Sequence, residues 1–526
     1  MMSKKAAAAL LMAAGLVLVA CSEEKSENIP AVQSEKVYED EITVFDINSG
    51  DWQFDDRIAK EIMARTGVKI TVIDPTDDPS EKVDLMLAYR DYPDMILISL
   101  SDIGRYQDAG VLLNLQPYLA QAPNVVEMYG DMLMRLSTED GKIFYLSNWY
   151  GRDEDAVSAF HIRYDYMVEV AGKERADSDE PFTQEEFLEL LRAFKEKYPQ
   201  IDGQETIAFT TSLNLNYTAP LQGMYGLKTY YEHDGKMEYL VRDPKYLEMI
   251  LFLNQMYREG LMDKEWVVNR RALFHEKLLD GRVFATACAY WDLDEENGVL
   301  RQEGGKETCY YGYKVLGNGV EETQTTYSGR NSMGWDAIAI TDNCKNPEAV
   351  VRVMNFLASE EGQYLMMWGI EGEDWDYVDG VRMPREEIVE SLKAVVNDTI
   401  DRTSIRKWTW FIKNGLGSDG SPYDMMAKYQ PSDEAVEINR RMKYDYWDTS
   451  LYFGLEPESG THEALMWRNI EEIYEKAYPR MVNASSQEEA VRLYEKMIQD
   501  MEAEGLKAVE AVITQNYQKR MELWGE

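Results

Sequence analysis

Hydrophobic and polar positions alternate along this chain in an order that predicts its elements. EITVFDIN (41–48) is rich in β-branched and aromatic residues, as a strand requires. A helical pattern over 54–66 stops at Gly67, and VKITVIDP (68–75) is a second strand ended by its proline. A helix through 83–89 leads to DMILIS (94–99), a continuous apolar run of the kind found in strands buried on both faces. The order β-α-β-α-β predicts a parallel sheet covered by helices.

A second α/β region follows IFYLSNWYG (143–151). In TQEEFLELLRAFKEKY (183–198), Thr183 and Glu186 make a capping box, and Phe187, Leu190, Leu191 and Phe194 share one helical face. DPKYLEMILFLNQMYREG (243–260) has Asp243 as N-cap, Pro244 at the first helical position and Gly260 as stop. VFATACAYW (283–291) is an apolar strand that breaks off at Trp291 and Asp292, and DAIAIT (336–341) is another strand. NPEAVVRVMNFLASEEGQYLMMWG (346–369) reads as two helices broken near Ser359 and ended by Gly369. The pattern from there to Glu526 is mostly helical, with no short-period repeat.

The first residues follow a different rule. Lys4 and Lys5 precede a wholly apolar run over 6–20. A bilayer span needs about 20 apolar residues, so this run is too short, but it suits the core of a secretory signal. Leu18-Val19-Ala20-Cys21 resembles the bacterial lipobox, in which the cysteine is lipidated and the chain is cut before it. The expectation is a signal peptide over 1–20, a lipid on Cys21 and a flexible acidic spacer over 21–38. The protein would then sit on the extracytoplasmic face of the cell membrane, held by lipid alone.

Composition narrows the chemistry. The 526 residues allow more than one domain, and the formal charge of −40 repels nucleic acid and anionic lipid. Beyond Cys21 the cysteines are Cys288, Cys309 and Cys344; they match no zinc spacing and read as small buried apolar side chains, with one disulfide left open. The four histidines form no HExxH pair, and no metal or cofactor is expected. GLGSDG (415–420) fits G-x-G-x-x-G but has no β-α-β setting, which excludes a nucleotide site. Asp292, Asp294, Glu295 and Glu296 suggest a glycosidase, which needs two carboxyls about 5–9 Å apart. With 95 acidic residues such a cluster arises by chance, so the chain is read as a non-enzyme.

Three stretches taken in order are similar to one family: DMILISLSDIGRYQDAGVLLNLQPYL (94–119), DGRVFATACAYWDL (280–293) and AITDNCKNPEAVVRVMNFLASEEGQYLMMWGIEGEDWDYVDG (339–380). They resemble extracellular solute-binding proteins of ABC importers, in the lipoprotein branch of the family-1, oligosaccharide-type group. The resemblance implies an α/β fold, periplasmic-binding-protein-like type II, with two lobes, a central ligand cleft and a helical C-terminal region. It implies a first lobe over 39–155, a second over 156–332, a return to the first over 333–395, and a helical region over 396–526 packing mainly on lobe 2. Crossings are expected near 150–157 and 330–336, with hinge closure around ligand. The implied function is capture of an oligosaccharide and its delivery to ABC permease subunits, as a monomer. A peptide or another polar solute is the alternative, and a surface carbohydrate-active enzyme a more distant one. Some relatives carry an Asp-rich calcium loop after the capping-box helix. Here YPQIDGQETIAF (198–209) keeps Asp202 and Glu205 but lacks alternating ligands, so calcium is not assigned.

Ligands of open α/β sheets bind beyond the C-terminal ends of strands. That rule selects Asn48, Asp51 and Trp52 after the first strand, Ser101 and Asp102 after the third, and Trp149, Tyr150 and Arg152 after IFYLSN. It also selects Asn216 and Tyr217 after TIAFTTS, and Trp291 and Asp292 after VFATACAY; Trp335, just before a strand and near the expected return crossing, joins them. These loops pair aromatics with carboxylates, amides or a guanidinium. A sugar needs that pairing, because its C–H face stacks on an indole while its hydroxyls take polar partners. Trp408 and Trp410, in RKWTWFIKNG, are read as core.

Overall fold

Apolar runs of the lengths seen in the sequence pair into two sheets. A computed structural model describes residues 38–525 apart from 76–77, 151–155, 213–214, 395, 430–432 and 444–445. The signal peptide, Cys21 and the spacer up to residue 37 lie outside the described residues, as does Arg152. The two main sheets use nine strands: β1 (Asp40–Asp46), β2 (Val68–Ile73), β3 (Met95–Ser99), β4 (Leu146–Ser147), β5 (Ser158–Arg163), β6 (Ile207–Thr210), β7 (Val283–Ala289), β8 (Tyr310–Tyr313) and β9 (Asp336–Ile340).

Lobe 1 orders its strands β2-β1-β3-β9-β4. β1 lies parallel to β2 and β3, while β9 runs antiparallel to β3 and β4. Helix α1 (Arg57–Thr66) begins where Asp56 accepts from the Ala59 amide and ends at Gly67, whose φ of 71° suits glycine. Helix α2 (Pro79–Tyr89) starts earlier than its apolar spacing predicts, because Asp78 caps it and Pro79 opens it. Helix α3 (Leu100–Asp108) leaves the end of β3 directly. Lobe 2 orders its strands β6-β7-β5-β8, with β5 antiparallel to both neighbours and buried throughout.

In lobe 2, α4 (Gln184–Lys197) carries the capping box: the Glu186 amide donates to Thr183 Oγ1 at 3.2 Å, and the Thr183 amide donates to the Glu186 carboxylate at 2.7 Å. Phe187, Leu190, Leu191 and Phe194 are all buried. The next stretch folds into a hairpin (Gln200–Ile201 with Gln204–Glu205) turned by Asp202 and Gly203 at positive φ. Lys195 Nζ donates to Glu205 at 3.1 Å there. Helix α5 (Pro244–Arg258) ends just before Gly260, which turns the chain at φ 70°. The return to lobe 1 continues as α6 (Pro347–Leu357) and α7 (Glu360–Trp368), parted at Ser359 as the sequence predicts. Cys288, Cys309 and Cys344 are free and buried.

The region from 396 onward divides between the lobes. Its first part completes lobe 1. Trp408 and Trp410, each 1% exposed, pack on Phe54 with ring centroids 4.7 and 5.1 Å away. The Trp410 indole donates to Asp46 at 2.8 Å and the Trp408 indole to Asp56 at 2.6 Å. Gln363 clasps the same segment, donating to the Phe411 carbonyl at 2.9 Å and accepting from the Lys413 amide at 2.9 Å. The later part, α8 (His462–Val482), α9 (Gln487–Glu504) and α10 (Leu506–Trp524), packs on lobe 2. There the Asn254 amide donates to the Val482 and Ala484 carbonyls at 3.0 and 2.7 Å, and Arg242 grips Glu510 at 2.7 and 2.9 Å. The end of α10 also reaches lobe 1, with the Arg135 guanidinium 4.6 Å from the Trp524 ring and Lys519 3.5 Å from Glu139.

Two short parallel ladders join the connecting segments: Trp149–Tyr150 with Ile412–Lys413, and Ser328–Arg330 with Tyr446–Asp448. Each pairs a piece of the first part of the chain with a piece of the C-terminal region.

Trp410→Ala removes a ring sandwiched in the lobe 1 core and one donor of a buried carboxylate. It should cost about 3–5 kcal/mol in urea unfolding. Wild-type stability in this variant would mean that the 404–425 segment is not part of that core.

Candidate functional site

On lobe 1, the ends of β1, β3 and β9 gather around two buried carboxyls. Asn48, just past β1, donates its side-chain amide to Asp336 at 2.6 Å and its backbone N–H to Asp46 at 2.9 Å. Asp46 also accepts from Trp410. Burial raises the Asp46 carboxyl above its ordinary range. Burial is also the main reason Asp336 is raised to about 6; Asp46 beside it adds to this, and the Asn48 amide opposes it. Asn148 fixes the strand start by accepting from the Trp335 and Asp336 amides at 3.2 and 3.1 Å. Trp335 itself stands at the lip, 51% exposed.

The other lobe 1 candidates differ in freedom. Asp51 is exposed, and Trp52 is half-buried with its ring 6.1 Å from Trp408 and the Lys407 ammonium 5.0 Å from its face. Ser101 shares a hydroxyl hydrogen bond with Ser99 at 2.7 Å. Asp102 is held by Arg105 at 2.5 Å, one turn along α3, which ties it to its own helix.

On lobe 2, the chain leaves β7 through a single 3-10 turn (Tyr290–Leu293), and this turn pushes Trp291 outward to 45% exposure. A cavity of about 320 Å³ opens beside it, lined by Trp291, Asp292, Lys228, Thr326, Trp447 and Thr449 among others. The Arg330 guanidinium lies 5.8 Å from the Trp291 ring. Burial raises the Asp292 carboxyl, and the charge of Arg271 opposes it. The Trp447 indole donates to the Thr326 carbonyl at 3.2 Å and stands close against the next-but-two residue, Gly329. A Cβ at Gly329 would stand 2.7 Å from Trp447 Nε1, so only glycine admits the ring there. Behind the cavity wall, Asp294 is raised to about 7, chiefly by burial and then by the Glu434 carboxylate, with Arg301 opposing and Asp292 and Glu296 adding to the rise.

The structure thus gathers Asn48 and Trp335 around Asp336, and Trp291 and Asp292 at the cavity. Trp149 and Tyr150 form the short strand paired with Ile412 and Lys413, and Asn216 and Tyr217 lie in the helix Leu215–Gly223. Sequence reasoning missed Lys228, Trp447 and Thr449. One signal was present: KYDYWDTS (443–450) repeats the Tyr-Trp-Asp order of YWDLD (290–294). Among the described residues no group of three or more His, Cys, Asp or Glu is arranged to hold a metal ion.

The sequence profile of bacterial extracellular solute-binding proteins matches residues 57–371. Lipoprotein LipO of Bacillus subtilis is 24% identical over 352 residues, which are 62% of this chain and 64% of LipO, so the chain spans slightly less than two thirds of that relative. The fructooligosaccharide ABC transporter substrate-binding protein FusA of Streptococcus pneumoniae is 25% identical over 395 residues, 70% of this chain and 71% of FusA. Among solved structures, alginate-binding protein AlgQ2 without calcium ion superposes with a TM-score of 0.69 at 18% identity, covering 92% of this chain and 99% of AlgQ2. An EF-hand mutant of FusA in complex with fructo-nystose gives 0.64 at 16% identity, covering 91% and 99%.

The raised carboxyls give a pH dependence with a definite sign. Their neutral forms are favoured in the folded chain, so their contribution to stability is complete below about pH 4 and is lost as pH rises through about 6 for Asp336 and about 7 for Asp294. Asp294→Asn should therefore gain on wild type in melting temperature as pH rises from about 4 to about 8. A gap constant with pH would show that Asp294 does not titrate in this range. Gly329→Ala should cost about 1–3 kcal/mol by overpacking, and Trp447→Leu in the same chain should recover part of that loss. Strict additivity in the double-mutant cycle would refute the contact.

Proposed function

The chain belongs to the bacterial extracellular solute-binding proteins, and from that premise we propose that it captures an oligosaccharide between its two lobes and delivers it to an ABC permease. The fold is of the periplasmic-binding-protein type II, two α/β lobes with a helical C-terminal region. The observation that carries the sugar reading is Trp291. A large apolar ring left 45% exposed beside a polar cavity offers a stacking surface, and a pyranose or furanose face fits an indole. Around it, Asp292 accepts hydroxyls, and Thr326, Thr449 and Lys228 add polar partners. Trp335, on the opposite lobe, offers a second exposed indole. Two relatives, FusA and AlgQ2, are named for carbohydrates.

Binding without turnover belongs to the same reading, as does action as a monomer. Burial raises both Asp292 and Asp294, with the charges of Arg271 and Arg301 opposing the rise. Anchoring through a lipid on Cys21 is the proposed attachment, in keeping with the lipobox-like stretch and with the naming of LipO as a lipoprotein. Acyl chains add roughly 0.8 kcal/mol per buried methylene, so several together hold a protein stably. No described helix is long and apolar enough to cross a membrane.

A thermal-shift panel of oligosaccharides and peptides tests the reading, since a ligand of the folded state raises the melting temperature. Oligosaccharides should shift it and peptides should not. Trp291→Ala should lower sugar affinity about tenfold while changing stability by under about 0.5 kcal/mol, as its exposure dictates. Peptides acting alone would overturn the sugar assignment, and release of reducing sugar over hours would make the protein an enzyme.

A further inference from the structure

Lys228 is the cavity residue that the electrostatics of this chain leaves unmatched. The protein has 95 acidic residues against 55 basic ones, and several of its deeply placed cations sit against carboxylates. Lys277 meets Asp263 at 2.8 Å, Arg242 meets Glu510 at 2.7 Å, Arg441 meets Glu437 at 2.8 Å and Lys314 meets Glu322 at 3.2 Å. The half-buried Lys228 ammonium has no carboxylate within ion-pair reach among the described residues. Its neighbours are ring faces, Trp447 at 4.9 Å and Tyr452 at 5.7 Å.

Ring faces offset part of the cost of holding a cation away from water, but they bring no counter-charge. Burial accordingly pulls the Lys228 ammonium below its ordinary range, and no nearby carboxylate restores it. The one carboxylate in the cavity lining, Asp292, makes no ion pair with Lys228; burial raises it, and the charge of Arg271 opposes that rise. A ligand that fills the cavity displaces the water now solvating Lys228. A neutral ligand would leave the ammonium desolvated, whereas an anionic one would complete it.

We infer that this cavity takes an acidic sugar unit, one bearing a carboxylate or a sulfate, with Lys228 as its counter-charge and Trp447 as the ring it rests beside. The inference rests on the carbohydrate reading above and narrows its substrate class. Trp447 is fixed by Gly329 and the Thr326 carbonyl, so the ammonium is presented from a rigid floor.

Calorimetry on the purified protein tests it, with three sets of probes of matched length: oligogalacturonates, sulfated chondroitin oligosaccharides, and neutral fructo-, manno- and xylo-oligosaccharides. One acidic set should bind at least about tenfold more tightly than any neutral set, and which acidic set does so distinguishes carboxylate from sulfate. Lys228→Gln should weaken that binding about ten- to a hundredfold, Lys228→Arg should keep most of it, and both should melt as wild type does without ligand. Raising salt from about 50 mM to about 500 mM should weaken binding to wild type more than to Lys228→Gln. If neutral glycans bind as tightly as acidic ones, or if Lys228→Gln binds the acidic probe unchanged, the inference falls while the carbohydrate reading stands. If no glycan binds, both fall.

Discussion

The Trp410 indole hydrogen bond to Asp46 is the interaction on which the arrangement of lobe 1 depends. A carboxyl at the end of a buried strand needs donors, and Asp46 finds one in the adjacent Asn48 backbone and another far along the chain. That second donor brings the 404–425 segment into the lobe 1 core beside Phe54. The same Asn48 passes its side-chain amide to Asp336, whose strand start carries Trp335. Core and cleft lip therefore share one hydrogen-bond network.

The two sides of the cleft are built by different means. On lobe 1 the polar groups come from the ends of neighbouring strands in one sheet, so their positions follow from sheet register. On lobe 2, Trp291 comes from a strand end, but the facing wall comes from Trp447 and Thr449, delivered by the ladder between Ser328–Arg330 and Tyr446–Asp448. That ladder lies on connecting segments, so the lobe 2 cavity is assembled partly from chain outside the two main sheets.

This difference explains what the sequence disclosed. The capping box at Thr183, the break at Ser359 and the apolar runs of β1, β2, β3, β7 and β9 are local signals and were read, whereas β5 and β8 of lobe 2 were not. The exposure of Trp291 and its place beside Asp292 at the cavity were foreshadowed by a local feature, the end of an apolar strand. Trp447 was not, because a parallel pairing across more than a hundred residues places it and leaves no periodic mark, and Lys228 gains its setting only from that ring. Asp102 shows the converse: it sits at a strand end, yet a neighbour on its own helix takes it up.

The last helix touches both lobes, and this bears on how the molecule moves. Glu510 fastens α10 to lobe 2, while Trp524 and Lys519 near its far end meet Arg135 and Glu139 of lobe 1. Any change of angle between the lobes must either keep those end contacts by pivoting around them or give them up. Trp524 is buried and Arg135 half-buried, and a cation–π contact is worth between about 0.5 and 2 kcal/mol as exposure falls, one to a few times the thermal energy. Such a contact acts as a soft stop: it biases the resting angle severalfold without locking it, and it lets substitutions remote from the ligand tune how readily the two halves come together.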